Sequence, residues 1–181
     1  MLKKMAAGIL LFMAFAALGG CVTQPHSMVQ SNIADGYKAN TASIYILSQI
    51  GTTQPDFNKL LETSLVKRFD VAGYKAKYVT SNGLELDTET FRKGARDFGA
   101  NLILVIAPAG GTVFGGMNSF YINSKYRVSG VDLKLDKVVY RSQMAFWPYD
   151  DRLWAGTLWN DVTARKLAED IYFEGHSKGL F

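Results

Sequence analysis

The hydrophobic pattern of the chain predicts an α/β domain built on a mixed β-sheet. Stripes with helical spacing alternate with short strand-like segments along residues 43–107. The run LILVIA at 102–107 is continuously apolar and rich in β-branched residues, which is typical of a strand covered by helices on both faces. Alternating segments further along predict antiparallel strands. The predicted order is β-α-β-α-β-β-β-α, folded as a single two-layer or three-layer sandwich.

The first half of this domain is predicted as two strand–helix units. Residues 43–50 and 74–80 have strand patterns. A helix at 56–69 follows Pro55, which a first helical turn tolerates, and it ends before Gly73. Its apolar stripe consists of Phe57, Leu60, Leu61, Leu65 and Phe69. The second helix, at 88–98, is capped by Asp87 and turns these residues inward: Phe91, Ala95 and Phe98.

A strand near 120–126 and then a hairpin are predicted after the apolar strand. Residues 131–135 and 138–146 alternate apolar and polar side chains on either side of a tight turn at 136–137. This turn places Leu135 opposite Val138 and Asp132 opposite Arg141. Apolar side chains then face each other and opposite charges pair, which supports the register.

A final helix is predicted at 161–173. Asn160 is its expected N-cap and Gly175 its expected end. The residues predicted to face the core are Ala164, Leu167, Ala168 and Ile171. The acidic pairs at 150–151 and 169–170 are predicted to be surface charge. Neighbouring residues on a helix diverge, so Glu169 and Asp170 cannot easily share one ligand.

The N-terminus has the composition of a bacterial secretory signal. Lys3 and Lys4 precede an uncharged apolar run at 5–18, and small residues follow it. The run is too short to span a bilayer as a helix, which needs about 20 apolar residues. Residues 1–20 are therefore predicted to be a signal peptide that is removed before Cys21.

The segment Leu18-Gly19-Gly20-Cys21 resembles the lipobox of bacterial lipoproteins. In that family the cysteine thiol receives a diacylglycerol, the signal is cut before it, and the new amine is acylated. The resemblance implies that Cys21 is the lipidation site and the contact with the bilayer. Val22, where an aspartate would imply inner-membrane retention, implies the periplasmic face of the outer membrane, with the inner membrane as the alternative. Residues 21–42 are predicted as a lipidated tether and 43–181 as a periplasmic domain.

The domain itself resembles the small α/β domain of envelope lipoproteins such as CsgG and LpoB and of the amino-terminal part of TolB. The features that carry the resemblance are the helix at 56–69, the junction FGAN before LILVIA, and the segment VDLKLDKVVYRSQMAF. The resemblance implies a fold and no particular activity, because one fold hosts many functions.

A glycine-rich stretch at 108–118 contains Gly110, Gly111, Gly115 and Gly116. A phosphate-binding loop would open a helix and often carries a lysine, whereas a strand is predicted to follow here and no lysine is present. A flexible connection and a mobile loop that binds a partner both stay open. Membrane insertion is a further alternative, although the stretch is short for a membrane strand of about 9–11 residues.

An aromatic stretch at 146–159 is the other candidate for partner binding, through Trp147, Tyr149, Trp154 and Trp159. Aromatic side chains dominate interface hot spots and also stack on sugar rings. The alternative is that some of them close the core against the last helix. An envelope protein or a glycan is the expected partner.

No combination of residues predicts a catalytic, metal or cofactor site. The histidines are His26 and His176, and a Ser-His-Asp site would need His176. Nucleic acid is not expected, because the basic residues are dispersed and secretion removes the protein from the cytoplasm. The sequence favours a non-catalytic binding or scaffold module of the cell envelope. A subunit of an oligomeric secretion or pore assembly and an envelope hydrolase are the alternatives, and the oligomeric state stays open.

Overall fold

A computed structural model describes residues 26–51, 53–81, 89–116, 119–147 and 159–181. The elements in these ranges are β1 His26–Ile33, β2 Ser43–Ser48, α1 Pro55–Val71, β3 Lys75–Thr80, α2 Glu89–Phe98, β4 Leu102–Gly116, β5 Ser119–Asp132, β6 Lys137–Trp147 and α3 Asp161–Ser177. The strands form one sheet in the order β1-β6-β5-β4-β2-β3. The predicted α/β class and mixed sheet are confirmed, and β1 is an additional strand.

The parallel half of the sheet consists of β3, β2 and β4, with β2 between two parallel neighbours. Every residue of β2 is buried. Ile44 and Ile46 belong to the main core with α1, whereas Tyr45 and Leu47 pack in a second cluster with α2. Helices therefore cover both faces of this half, which makes the fold a three-layer sandwich here and explains the apolar sequence of β2 and LILVIA.

The antiparallel half consists of β5, β6 and β1. On one face, Tyr140, Met144 and Phe146 of β6 join the main core together with Leu167 and Ile171 of α3. Along β6, residues of the other face, such as Arg141 and Gln143, are exposed. This half is covered by a helix on one side, so its strands alternate between buried and exposed residues.

The prediction that residues 21–42 form only a tether was wrong for β1. Residues His26 to Ile33 pair with β6, from His26 opposite Trp147 to Ile33 opposite Tyr140. The strand pattern was weak because β1 is an edge strand, and only Val29 and Ile33 pack against the main core. The folded unit therefore begins at or before His26 and not at residue 43.

The connection at 34–42 carries the chain from the edge strand β1 to β2. Two of its side chains form hydrogen bonds with residues far away in the sequence. Tyr37 donates a hydrogen bond to Asp132 over 2.9 Å, and Thr41 donates one to the Leu180 carbonyl over 3.1 Å. These long-range contacts hold a segment whose sequence has no periodicity.

The helices follow their predicted stripes closely. Four of the five stripe residues of α1 are buried, and Leu60 lies at the margin with 36% of its surface exposed. Ala95 is buried beneath α2, and Phe91 and Phe98 pack beside it. The cap of α3 is confirmed, since the Asn160 side chain accepts a hydrogen bond from the Thr163 amide over 2.9 Å. The cap predicted for α2, Asp87, lies outside the described residues.

Gly175 does not end α3, which continues to Ser177. It lies buried inside the helix, against the ring of Phe181. A Cβ on Gly175 would lie 2.4 Å from the Cζ of Phe181, so this position needs the smallest residue. The glycine serves close packing here, and Gly179, with φ +75°, supplies the left-handed turn after the helix.

The hairpin between β5 and β6 has a longer turn than predicted. Asp132 pairs with Lys137 instead of Arg141, and Val138 faces Val131 instead of Leu135. The Asp132 carboxylate accepts hydrogen bonds from the amides of Lys134 and Leu135, each over 2.8 Å. This side-chain capping stabilises the wider turn and shifts the register from the predicted one.

Candidate functional site

Strands β4 and β5 extend beyond their neighbours and form a two-stranded arm, which we define as residues 107–116 and 119–123. The pairing of β4 with β2 stops at Ile106, opposite Ser48. The pairing of β5 with β6 stops at Ser124, opposite Phe146. Beyond these points β4 and β5 pair with each other as far as Gly116 and Ser119. Among the described residues, no strand pairs with either outer edge of the arm.

The glycine-rich stretch lies in this arm, so its interpretation as a connecting loop was wrong. Gly110 has φ +103° at a register shift between Pro108 and Gly111. A Cβ on Gly111 would lie 2.6 Å from the backbone oxygen of Asn123. Glycine is needed at both positions, at one for its left-handed conformation and at the other for close strand approach. Gly115 and Gly116 continue the strand, opposite Phe120 and Ser119.

The candidate tryptophans that the structure describes lie at the same end of the sheet as the arm. Trp147 is the last residue of β6 and pairs with His26, one position beyond the row that contains Phe146 and Ser124. Trp159 directly precedes α3 and packs against the main core. Both are half-buried. Tyr149, Trp154 and Cys21 lie outside the described residues, as does the acidic pair at 150–151.

Tyr126 is the centre of the aromatic packing at this end. Its ring stacks on Phe57 at 6.0 Å and meets Phe146 edge-on at 6.1 Å. Its hydroxyl donates to the Gln54 side chain over 3.2 Å. Burial raises the pKa of Tyr126, and Trp159 and Ser124 beside the hydroxyl partly offset that rise. Trp159 therefore helps to close the core, as one alternative predicted, while Trp147 lies closer to the arm.

A buried polar cluster lies where β2 and β3 end, at the start of α1. The Asn58 side chain accepts hydrogen bonds from Ser48, over 2.6 Å, and from Tyr78, over 2.7 Å, and it donates to Thr80 over 2.9 Å. Burial raises the pKa of Tyr78 and keeps it a donor. The cluster satisfies its own hydrogen bonds and ties helix to strands, so it stabilises the fold. Asn58 within the apolar stripe of α1 was the sequence signal for it.

Sequence reasoning did not identify a basic surface on the antiparallel half. The open face, as we call it, is the side of β5, β6 and β1 opposite α3. Strand pairing aligns Arg127 with Gln143 and Gln30 in one row, and Arg141 with Asn32 in the next. These five side chains line a shallow groove of about 510 Å³. Among the described residues neither arginine forms an ion pair, so both guanidinium groups face solvent.

His176 has a structural position. Its Nδ1 lies 2.9 Å from the Phe181 carbonyl oxygen, and its ring stacks on Tyr172 at 5.6 Å. Of the neighbouring acidic pair, Asp170 forms an ion pair with Lys166, and Glu169 is exposed. Within the described ranges, His, Cys, Asp and Glu residues form no group suited to a metal ion. The geometry at His176 thus supports packing of the C-terminal residues.

Comparisons with solved structures show that proteins of similar fold exist. The dodecamer of a single-residue variant of PelC from Paraburkholderia phytofirmans is 11% identical, with 79% of this chain and 96% of that chain covered and a TM-score of 0.51. A second PelC dodecamer structure from the same organism is 10% identical, covers 78% of this chain and 94% of that chain, and has a TM-score of 0.50. Lipoprotein GNA1162 from Neisseria meningitidis is 16% identical, over 73% of this chain and 99% of that chain, with a TM-score of 0.41.

The comparisons by sequence are negative. No protein-family model matches the chain, and no curated protein sequence matches it. The structural likeness, at identities this low, establishes the α/β fold and no function. In the part of the chain that the structure describes, none of the helices is both long and apolar enough to cross a membrane.

Proposed function

We propose that this protein is a lipid-anchored module of the bacterial cell envelope, which binds a partner without catalysis. Cys21 supplies the anchor, as the lipobox resemblance implies, at the periplasmic face of the outer membrane. The observation that carries the binding role is the arm, whose two outer backbone edges have no partner strand among the described residues.

The arm offers main-chain donors and acceptors in the geometry that another strand requires. An exposed edge of this kind pairs readily with an added strand, and proteins otherwise shorten or protect such edges. Pro108 lies in β4 beyond the last residue that pairs with β2. Because proline lacks an amide hydrogen, it is suited to such an edge position. Between Gly111 and Gly116 the edge of β4 carries no proline, so this stretch is the favoured place for a partner strand.

A second candidate function is self-assembly into a ring, with copies of this chain as the partner. The observation that favours it is the likeness to a PelC structure described as a dodecamer, which extends over nearly all of that chain. In such an assembly the arm of one copy would pair with its neighbour. Either reading makes the arm an interface.

Site-specific photocrosslinking in cells tests the role of the arm. A photoreactive residue at Thr112, in the arm, should form a discrete crosslinked product, whereas one at Lys67, exposed on α1, should not. The same product from both positions, or none from Thr112, would argue against an interface there. Light scattering on the purified protein separates the two candidates, because a ring predicts a multiple of the monomer mass and a monomer rules it out.

Lipidation has its own test. Radiolabelled palmitate should enter the wild-type protein and should be lost in Cys21→Ser, because the thiol is the acceptor. Equal labelling of both proteins would refute the anchor. A broad hydrolase screen should find no turnover, and an activity abolished by His176→Ala would support the hydrolase alternative instead.

A further inference from the structure

The open face is a basic surface whose cationic side chains form no ion pair with any residue that the structure describes. Lys125, Arg127 and Arg141 project from it, and three amide side chains lie between them: Gln30, Asn32 and Gln143. The nine residues that the pairing aligns on this side of β1, β6 and β5 include no Asp or Glu; they are Met28, Gln30, Asn32, Lys125, Arg127, Ser129, Arg141, Gln143 and Ala145. The face is therefore cationic and rich in hydrogen-bond donors.

The position of β1 brings this face close to the predicted anchor. Residues 22–25 are all that separates Cys21 from His26, where β1 begins. Five Cα-to-Cα steps span at most about 18 Å. The domain is thus confined near the bilayer by its edge strand, and not held off by a tether that extends to residue 42.

One end of the open face is suited to a lipid interface. Met28 is half exposed, at 50%, and lies in the same row as Ala145 and Lys125. This row is two positions from the start of β1, so it is the nearest to the anchor of the three rows named above. An exposed apolar side chain beside a lysine suits the boundary between headgroups and acyl chains.

We propose that the open face docks on the anionic phospholipid headgroups of the membrane that holds the Cys21 lipid. Arg127 and Arg141 bind headgroup phosphates, and the amide side chains donate further hydrogen bonds. An anionic bilayer attracts each basic residue close to its surface, and the combined attraction orients the domain. The inference rests on the proposed lipid anchor.

The experiment measures the orientation of the full lipidated protein on vesicles. Cys21 is the single native cysteine, so Gln30→Cys introduces one labelling site on the open face. Lys67→Cys, on α1 at the opposite side of the sheet, is the matched position. Energy transfer to a headgroup acceptor should be greater from residue 30 than from residue 67 in vesicles of phosphatidylcholine with phosphatidylglycerol. The difference should shrink in phosphatidylcholine alone and at high salt.

Removing the charges should release the domain. Each arginine lost should lower the ratio of docked to undocked protein roughly fivefold, so Arg127→Gln with Arg141→Gln should lower it roughly 25-fold. The control pair Lys59→Gln with Lys67→Gln removes equal charge from α1 and should change the ratio less than twofold. Equal energy transfer from residues 30 and 67, or transfer that does not change with salt concentration and lipid charge, would overturn the docking. Absence of palmitate on the wild-type protein would overturn the anchor as well as the docking. A protein that carries palmitate but shows equal transfer from the two positions would overturn the docking alone.

Discussion

The two halves of the sheet face their surroundings differently. In the parallel half, β3-β2-β4, helices pack on both faces, and Tyr45, Leu47 and Ile103 are nearly inaccessible on the α2 side. In the antiparallel half, β5-β6-β1, α3 covers one face, and the continuation of that same α2 side is the polar open face.

The difference teaches which part of the molecule carries stability and which part is available for binding. Apolar burial is the main favourable term in folding, and the doubly covered half contributes it on both sides of β2 and β4. Polar side chains on the open face contribute little to stability, so they are free to be selected for a partner or a surface. The arm extends from the boundary between the halves, since β4 belongs to one and β5 to the other.

The largest effect is expected from matched truncations in the two halves. Ile103→Ala, beneath α2, should lower the free energy of unfolding by about 2–5 kcal/mol, because it leaves a cavity. Gln143→Ala, on the open face, should change it by less than about 0.5 kcal/mol. Urea unfolding followed by circular dichroism measures both. Similar losses from the two variants would mean that the open face is covered in the folded protein.

The next effect concerns the boundary, where β4 enters the arm. Gly111→Ala should cost about 1–3 kcal/mol, because its Cβ would meet the rigid backbone of Asn123. Gly94→Ala is the control: its Cβ would approach a side-chain atom, the Tyr45 hydroxyl at 2.9 Å, instead of backbone, and alanine favours the helix. Hydrogen exchange of the arm amides should speed up in Gly111→Ala alone. Unchanged exchange in both variants would contradict the close strand approach.

A smaller effect is expected at the start of α3, the helix that covers the antiparallel half. Asn160→Ala removes the side chain that caps the helix and should cost about 1 kcal/mol. Asn40→Ala, at an exposed position of the β1–β2 connection, should be nearly neutral. Thermal unfolding of the two variants tests this, and an equal change in Tm would argue against the cap.

The smallest effect lies in the β1–β2 connection, which joins the two halves. Tyr37→Phe removes the hydrogen bond to Asp132 and should cost about 0.5 kcal/mol near pH 7. Burial, followed by the hydrogen bond to Asp132, raises the pKa of Tyr37 from 10.0 to about 12. Folding thus favours the protonated form of Tyr37. The contribution of this raised pKa to the free energy of unfolding is complete below pH 10 and is lost as the pH rises to about 12.

Unfolding titrations from about pH 9 to about pH 12 measure this dependence. The wild-type protein should lose stability over that window, and Tyr37→Phe should lose less of it, because one of the raised tyrosines is gone. Absorbance of tyrosinate should show one group fewer titrating near pH 12. Parallel stability curves for the two proteins would contradict the raised pKa.

Local patterns were enough to predict much of the fold. Local sequence correctly predicted the stripe of α1, the inner face of α2, the Asn160 cap and the buried strand at 102–107. Each depends on contacts within a few residues or on burial so complete that composition reveals it. The role of the candidate site in binding stays a prediction: Trp147 and the glycine-rich stretch lie at the same end of the sheet, and the glycines are in a strand where a loop was predicted.

Other features depended on partners distant in the sequence. β1 is a strand because β6, more than a hundred residues later, supplies its hydrogen bonds. The register of the β5–β6 hairpin depended on the Asp132 carboxylate, which accepts hydrogen bonds from two amides of the turn. These hydrogen bonds stabilise a wider turn than the one that would pair Leu135 with Val138. The basic open face exists only because pairing aligns arginines of β5 and β6 with amides of β1.

The sequence by itself determined the helices and the apolar core strands, and it contains the lipobox-like segment. Each of these features depends on residues that are close together in the chain. The tertiary structure decided which strands meet, where the arm leaves the sheet and which side chains share the open face. The physical reason is that strand pairing joins residues far apart in the chain, and a pattern of period two does not say which partner will satisfy the backbone.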